Sequence, residues 1–269
     1  PVLPRMVEQG QSAIAFFPLY PGLMKGIGAV FGSPYVAGVI VSNAALIASG
    51  IFLYRLVKLR YGNEKHAATA VTFLFLFPTA FILSGIFTES LFLALLLGCL
   101  YYGERKKWLI AGVLAFFLSS TRSLGVLVVL PLGWEYLRDI QFKLRDARAE
   151  ILWLLLSPAA LGLIILYNWH LTGDPLAFVH VQKYWGRESV NPFWVLWHYL
   201  TNPTLFTVFA TTLVLLVFVA LCAFIRQIGP AYWFFGMCML LIPLANTGDP
   251  LAKARTLTMM PSMARFALA

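Results

Sequence analysis

Two charged residues, Glu89 and Arg122, lie in sequence surroundings that could support chemistry. Glu89 follows Thr88 at the start of an apolar run, and Arg122 lies among hydroxyl side chains in Ser119-Ser120-Thr121-Arg122-Ser123. The apolar run that begins at Glu89 is a candidate membrane segment. An ionisable group at membrane depth costs at least about 2.5 kcal/mol and therefore indicates a function. A guanidinium group among hydroxyls is suited to binding a phosphate or pyrophosphate. Glu89 is therefore a candidate catalytic carboxylate, and Arg122 is a candidate phosphate-binding residue.

Each of these two residues also has a structural interpretation. Thr88 could cap a helix that begins at Glu89, whose carboxylate would then interact with the helix dipole. Arg122 could be an interfacial arginine whose guanidinium group reaches the lipid headgroups. The hydroxyls around Arg122, and the absence of an acidic neighbour in the sequence, favour phosphate binding there. The two interpretations of Glu89 stay open.

A long polar and aromatic segment, 170–203, supplies further candidates. Asp174 lies in Thr172-Gly173-Asp174-Pro175, which predicts a turn and favours a structural over a catalytic role for this carboxylate. The segment continues with side chains of the kind that hold a sugar or a lipid-linked phosphate, although an aromatic belt at a membrane interface predicts the same residue types. These side chains are Gln182, Lys183, Trp185 and Arg187.

Signatures of metal and nucleotide binding are not recognisable in the sequence. The four histidines have no paired spacing, and there is neither a Walker A motif nor a Gly-x-Gly-x-x-Gly fingerprint. Cys99, Cys222 and Cys238 lie inside apolar segments without Cys-x-x-Cys spacing, and we interpret them as small core residues. We therefore expect no metal site and identify no cofactor.

The composition indicates the solvent in which these residues must be positioned. The chain of 269 residues is 60% hydrophobic and only 12% charged, and its mean hydropathy is +0.81. Soluble domains carry about 25% charged residues, so this chain cannot cover a water-exposed surface. Helices satisfy their backbone hydrogen bonds within the segment, which lipid requires. The sequence therefore predicts an all-α membrane protein.

Eight apolar runs are candidate membrane spans, because about 20 apolar residues at 1.5 Å per residue cross a hydrocarbon layer about 30 Å thick. They are 34–57, 67–87, 89–103, 107–121, 124–137, 151–169, 204–225 and 230–246. The third to fifth are short and require flanking residues, a thinner bilayer or a partly re-entrant arrangement. We predict a polytopic bundle of about eight transmembrane helices that forms a single domain over residues 1–269.

Basic residues occur in alternate linkers and predict the orientation of the chain. The positive-inside rule places these linkers in the cytoplasm, and they carry Arg55 to Lys65, Arg105 to Lys107, Arg138 to Arg148, and Arg226. The other face then receives Glu89, Arg122 and the segment 170–203, where the tryptophans predict short helices at the membrane interface. A net charge of +9 distributed in this way does not indicate nucleic-acid binding, which needs basic residues clustered on a solvated face.

Several stretches together resemble one family of membrane enzymes. They are Ala15-Phe16-Phe17-Pro18-Leu19-Tyr20-Pro21, Phe77-Pro78-Thr79-Ala80-Phe81 continuing to Phe87-Thr88-Glu89-Ser90-Leu91-Phe92, Ser120-Thr121-Arg122-Ser123-Leu124-Gly125, Thr172-Gly173-Asp174-Pro175 with Gln182 and Trp185, and Ser262-Met263-Ala264-Arg265-Phe266. In combination they resemble the PIG-V-type GPI mannosyltransferases and their bacterial relatives, within the GT-C class of glycosyltransferases. Ala264 departs from the pattern, since the family usually has Pro at that position.

The resemblance implies transfer of a mannosyl group from a polyprenyl- or dolichyl-phosphate sugar to a lipid-linked acceptor, by an inverting displacement on the non-cytoplasmic face. Such a transfer needs a carboxylate base for the acceptor hydroxyl and cationic groups for the departing phosphate. Glu89 and Asp174 are then candidate catalytic residues. The candidate substrate- and phosphate-binding residues are Arg122, Gln182, Trp185, Arg187 and Arg265.

GT-C enzymes usually supply the base from the first outer loop, and we expect that loop and its preceding helix to lie upstream of Pro1. The chain starts without Met, and the residues up to Ala269 end on an apolar upswing, so we interpret both ends as cut. Glu8 is the only acidic residue before Phe16, and we do not expect it to be the base.

A flippase or transporter of lipid-linked sugars is the alternative function. A transporter should carry charge near the bilayer midplane and repeated, broken helices, whereas here the charge gathers at one rim, which favours the enzyme. The expected partners are a lipid-phosphate sugar donor, a lipid-linked acceptor and membrane lipids, and not nucleic acid. Compact loops favour a bacterial plasma membrane over the endoplasmic reticulum. The acceptor, the sugar and the oligomeric state stay open.

Overall fold

A computed structural model of the chain describes residues 12–182 and 189–245. Over these residues every regular element is a helix, which confirms the predicted all-α class. Thirteen α-helices are present in this part of the chain: α1 Leu19–Phe31, α2 Pro34–Tyr61, α3 Glu64–Leu76, α4 Phe81–Ser84, α5 Glu89–Glu104, α6 Trp108–Ser119, α7 Val129–Asp139, α8 Leu156–Thr172, α9 Ala177–His180, α10 Pro192–Thr201, α11 Leu205–Ala223, α12 Ile225–Ile228 and α13 Pro230–Ala245. Short 3₁₀ segments occupy Ser12–Ala15, Ser123–Val128, Leu144–Asp146 and Ala149–Leu155.

Two helical stretches among the described residues are long and apolar enough to cross a membrane. They are Pro34–Tyr61 and Ala149–Thr172, which joins a 3₁₀ segment to α8. Trp108–Ser119, Thr207–Ala223 and Pro230–Ala245 are apolar but shorter. The 12 residues of α6 extend over only about 18 Å, less than a hydrocarbon layer of about 30 Å. The membrane class is thus supported, while the number of about eight spans stays a prediction.

Helix α2 begins and ends at residues that explain its bounds. Ser33 is extended and its hydroxyl accepts a hydrogen bond from the Val36 N–H, while Pro34 occupies the first turn, where no backbone N–H is needed. At the other end Gly62 adopts φ +64° and its N–H donates to Lys58 O, a left-handed cap that glycine adopts without strain. Asn63 then accepts hydrogen bonds from the first turn of α3.

The apolar run 67–87 does not form the single helix that was predicted for it. Helix α3 ends at Leu76, and Phe77 has ψ 136°, the extended conformation that a following proline imposes. After Pro78 the chain turns and forms only the four residues of α4, Phe81–Ser84. The structure also adds α1, Leu19–Phe31, which was not among the predicted runs because its glycines interrupt the apolar pattern.

The chain forms two compact units, and the boundary falls within α8. The larger unit is Phe16–Leu166, and the smaller unit is Tyr167–Ala269 together with Pro1–Ala15. Within the larger unit, Ser42 of α2 hydrogen bonds to Phe87 O just before α5, and Arg60 near the end of α2 pairs with Glu104 at the end of α5. Helices α2 and α5 therefore run in the same direction. We call the two extremities of this unit the Glu89 end and the Glu104 end.

The Glu104 end is held by a network of four charged side chains from three helices. Arg60 Nε lies 2.9 Å from Glu104 Oε1, and Arg60 Nη2 lies 3.8 Å from Glu135 Oε1. Arg138 Nη2 contacts Glu135 and lies 3.7 Å from Glu104 Oε2. The network joins the ends of α2, α5 and α7, and Glu135 is only 5% exposed.

The smaller unit contains its own apolar core. Helices α10, α11 and α13 supply the buried side chains, which are Val195, Tyr199, Ala210, Val214, Leu240 and Leu244. Asn191 caps α10 through the Phe193 N–H, and Thr204 and Thr207 form a reciprocal capping box at α11. The segment 170–203 thus contains the predicted short helices, α9 and α10. Their position at a membrane interface stays a prediction.

Candidate functional site

The Glu89 end brings together three of the stretches that carry the family resemblance. The Leu19 N–H at the start of α1 donates to Ser120 O, 3.2 Å away, just beyond the end of α6. Ser42 Oγ donates to Phe87 O over 3.3 Å and so links α2 to the turn that leads into α5. Segments that are widely separated in the sequence therefore meet around the first turn of α5.

Glu89 and Arg122 form an ion pair at this end. Arg122 Nη2 donates to Glu89 Oε1 over 3.0 Å, and the two side chains are 25% and 4% exposed, respectively. The sequence around Arg122 contains no acidic residue, and this favoured phosphate binding. In the folded chain Glu89 is an acidic neighbour of Arg122. A helix does begin at Glu89 with Thr88 at the N-cap position, as the structural interpretation expected, but the Thr88 side chain makes no capping bond.

The chain around Arg122 is bent so that its side chain returns toward α5. Arg122 is extended, with φ −156° and ψ 146°, and the 3₁₀ segment Ser123–Val128 follows at once. A Cβ at Gly125 would lie 2.6 Å from Leu118 O, closer than such atoms approach. Only glycine therefore lets this segment pack against the end of α6, and this close approach fixes the position of the Arg122 backbone.

Three of the four hydroxyl groups around Arg122 have structural partners. Ser120 Oγ donates to Phe116 O over 2.9 Å, and Thr121 Oγ1 donates to Leu118 O over 2.6 Å. Ser119 Oγ lies 2.8 Å from Ser157 Oγ. These three hydroxyls complete the end of α6 and its contact with α8, so each has a structural role, and their part in binding a ligand stays a prediction.

Tyr20 and Ser42 contribute to this end and were not identified from the sequence as site residues. The Tyr20 hydroxyl is buried, lies 2.7 Å from Ser42 Oγ, and donates to Gly38 O over 3.2 Å. Tyr20 belongs to a stretch quoted for the family resemblance, so a signal for it existed. Ser42 is one of two serines in the uncharged first part of α2, and no sequence pattern distinguishes it.

Asp174 is held in the turn that its sequence predicts. Its N–H donates to Thr172 Oγ1 over 3.1 Å, and its Oδ1 accepts from the Leu176 N–H over 3.0 Å. Asp174 Oδ2 also lies 2.6 Å from His180 Nδ1, a contact that the sequence analysis missed. Burial raises the pKa of Asp174, but the hydrogen bonds from His180 and from Leu176 outweigh it and hold the pKa below its usual value. The structural interpretation of Asp174 is supported.

Of the remaining candidate site residues, Gln182 lies within the part of the chain that the structure describes. Gln182 lies in the smaller unit, and its Nε2 donates to Phe178 O over 3.2 Å, one helical turn back. Trp185, Arg187 and Arg265 lie outside the residues that the structure describes. No group of three or more His, Cys, Asp or Glu side chains that could hold a metal occurs in the described ranges.

A comparison with known protein families gives a match over most of the chain. The model of a family described as Predicted membrane protein (DUF2079) matches residues 26–235, which is most of the chain and includes Glu89 and Arg122. The chain belongs to this family. The family confirms the membrane-protein class, whereas the closer resemblance to PIG-V-type enzymes stays a prediction. No curated protein and no solved structure matches the chain.

The site that this family member presents is a guanidinium group anchored by a buried carboxylate. The Glu89 side chain is 4% exposed and pairs with Arg122. The Arg122 side chain is 25% exposed and reaches the surface of the larger unit. A carboxylate on one edge of a guanidinium group fixes the plane of the fork, which is the geometry that bidentate phosphate binding requires. The pair is thus suited to binding an anion in a defined orientation.

Proposed function

We propose that this protein is a membrane glycosyltransferase that moves a mannosyl or related group from a polyprenyl-phosphate sugar to a lipid-linked acceptor. The reaction is an inverting displacement on the non-cytoplasmic face, within a GT-C-like bundle of about eight transmembrane helices. The Glu89–Arg122 pair supports this proposal, because it lies where three stretches that resemble PIG-V-type mannosyltransferases converge. A bacterial plasma membrane is the proposed location.

Arg122 binds the phosphate of the donor and stabilises the charge that develops on it as the sugar leaves. Preorganised donors of this kind typically contribute a factor of about 10²–10³ to the rate. Glu89 orients Arg122, since its Oε1 already accepts from the guanidinium group. This engagement makes Glu89 a poorer candidate for the base than the sequence suggested. The base is a different carboxylate, and Asp174 is less suited to that role because its oxygens are engaged by His180 and by the Leu176 N–H.

The test is sugar transfer from polyprenyl-phosphate mannose in proteoliposomes that contain a full-length parent protein. Arg122→Ala should reduce the rate by about 10²–10³-fold, and Arg122→Lys should retain part of the activity because it keeps the charge and loses the fork. Arg145→Ala is the matched control, since Arg145 is exposed and follows the end of α7 that carries the network at the Glu104 end.

Two outcomes would reject the proposal. Transfer by Arg122→Ala at the parental rate would remove the phosphate role of Arg122. Movement of the intact donor across the bilayer without transfer of its sugar would identify the protein as a flippase or transporter of lipid-linked sugars, the alternative function.

A further inference from the structure

Helices α2 and α3 line an open apolar groove on the surface of the larger unit. Neither Glu89 nor Arg122 is among its lining residues. The groove has a volume of about 510 Å³, within the range of about 300–1,000 Å³ that is usual for small-molecule sites. Ile47, Ile51, Val71 and Phe75 form most of its apolar wall. Its size suits an aliphatic chain, and its apolar wall offers little to a polar molecule.

Small residues make the groove possible. Gly50 and Ala68 both line it, and a Cβ at Gly50 would lie 3.3 Å from the Phe75 ring. Ala67, beside Ala68, is fully buried and is the residue of α3 that is buried in the unit. Helix α3 therefore packs through a narrow strip, and the adjacent wall of α2 stays open.

One end of the groove carries a positive charge. Arg55 lines the groove together with Tyr54, and it is the first charged residue of α2 after an uncharged run from Pro34. Those 21 residues extend over about 32 Å, close to the thickness of a hydrocarbon layer of about 30 Å. If α2 spans the bilayer, Arg55 lies at the level of the lipid headgroups.

Arg55 differs from the basic residues that follow it on the same helix. Lys58 Nζ lies 2.5 Å from Glu64 Oε1, and Arg60 forms an ion pair with Glu104. Arg55 is exposed, and within the described residues it has no hydrogen bond, ion pair or ring contact. An apolar groove that ends at an arginine without a protein partner is complementary to a lipid with one tail in the groove and an anionic headgroup at its end.

We propose that this groove binds an anionic phospholipid of the cytoplasmic leaflet, with one acyl chain between α2 and α3 and the phosphate on Arg55. Anionic lipids are concentrated in that leaflet, and each Arg or Lys near the surface strengthens their binding. An interfacial arginine without a groove would contact any headgroup transiently. The groove adds apolar contacts with an acyl chain and so holds a lipid in place. Binding should therefore depend both on Arg55 and on the space beside Gly50 and Ala68.

The test is native mass spectrometry of the whole chain, purified from bilayers that contain equal amounts of phosphatidylglycerol and phosphatidylcholine. The parent should retain phosphatidylglycerol in preference to phosphatidylcholine, and Arg55→Ala should lower this preference by about fivefold. Arg145→Ala, which removes an exposed arginine away from the groove, should leave the preference unchanged. Ala68→Phe should fill the groove and remove bound lipid, whereas Thr69→Phe, one position along α3, should not.

Circular dichroism and gel filtration show that each variant is folded before its lipid is measured. Equal retention of the two phospholipids by the parent, or a preference that survives Arg55→Ala, overturns the proposal. A third arm adds polyprenyl phosphate to the bilayer, and its exclusive retention would identify a donor-lipid site and also overturn the assignment to phospholipid. None of these readouts requires sugar transfer.

Discussion

The two ends of α5 carry ion pairs that differ in how their charges are shared. At the Glu104 end, two carboxylates and two guanidinium groups from α2, α5 and α7 neutralise one another. At the Glu89 end, one buried carboxylate engages one arginine, whose side chain is 25% exposed. The two ends are separated by the 16 residues of α5, or about 24 Å.

The difference separates a structural role from a binding role. The network at the Glu104 end links three helix ends and keeps its charges occupied, so its removal should affect stability above all. The pair at the Glu89 end links two segments and presents a guanidinium group at the surface of the unit. Its removal should affect ligand binding more than stability.

The largest expected change in stability is at the Glu104 end. Arg60→Ala leaves Glu104 and the buried Glu135 with Arg138 as their remaining contact in the network, and breaking a buried pair on one side typically costs about 3–5 kcal/mol. Denaturant unfolding in detergent should show a loss near the lower end of this range, because Arg60 is 20% exposed.

Lys58→Ala is the matched control for Arg60→Ala. Lys58 lies on the same helix and pairs with Glu64, but the two side chains are 50% and 67% exposed, and such surface pairs contribute about 0–1 kcal/mol. Equal destabilisation by the two substitutions would show that the network at the Glu104 end does not hold the helix ends together.

A smaller change in stability is expected at the Glu89 end. Glu89→Gln keeps a hydrogen-bond acceptor for Arg122 and removes the charge, and solvent reaches the partly exposed guanidinium group. The free energy of unfolding should fall by about 1.5 kcal/mol, while sugar transfer should fall by about tenfold or more, because a neutral amide holds the fork of Arg122 less firmly than the carboxylate does. If unfolding were affected more than transfer, the contrast between the two ends would be wrong.

Helix bounds could be predicted from the sequence more fully than the site could. The predicted run 89–103 corresponds closely to α5, Glu89–Glu104, because a uniform apolar segment with polar ends determines a helix by itself. The break at Pro78 was missed in the run 67–87, although the sequence contains its signal, since proline restricts the residue before it. Both features depend on neighbouring residues in the chain.

The pairing of Glu89 with Arg122 could not be predicted, although both residues were identified as candidates. They are 33 positions apart, and their contact depends on how α5 and α6 pack and on the close approach at Gly125. The same reason applies to Tyr20 and Ser42, whose hydrogen bond joins α1 to α2. Contacts between helices are set by packing, and the sequence of one helix does not report them.

The smallest expected effect concerns the support of the Glu89 end. Ser42→Ala removes a partner of the buried Tyr20 hydroxyl and the bond to Phe87 O, and should lower the free energy of unfolding by about 1 kcal/mol. Ser84→Ala is the control, because its hydroxyl bonds to Phe81 O at an exposed position, where substitutions usually change stability by less than about 0.5 kcal/mol. A thermal unfolding series that ranked Ser84→Ala above Ser42→Ala would contradict this assignment.

Binding of the donor lipid tests the central claim, which is that Arg122 with Glu89 forms a phosphate site. The measurement is the affinity of the full-length protein in nanodiscs for polyprenyl-phosphate mannose, compared between the parent, Arg122→Ala and Arg145→Ala. Loss of a bidentate, charge-assisted contact should weaken binding by about tenfold or more for Arg122→Ala, and Arg145→Ala should bind as the parent does. Equal affinity of the parent and Arg122→Ala, with both proteins folded, would contradict the account.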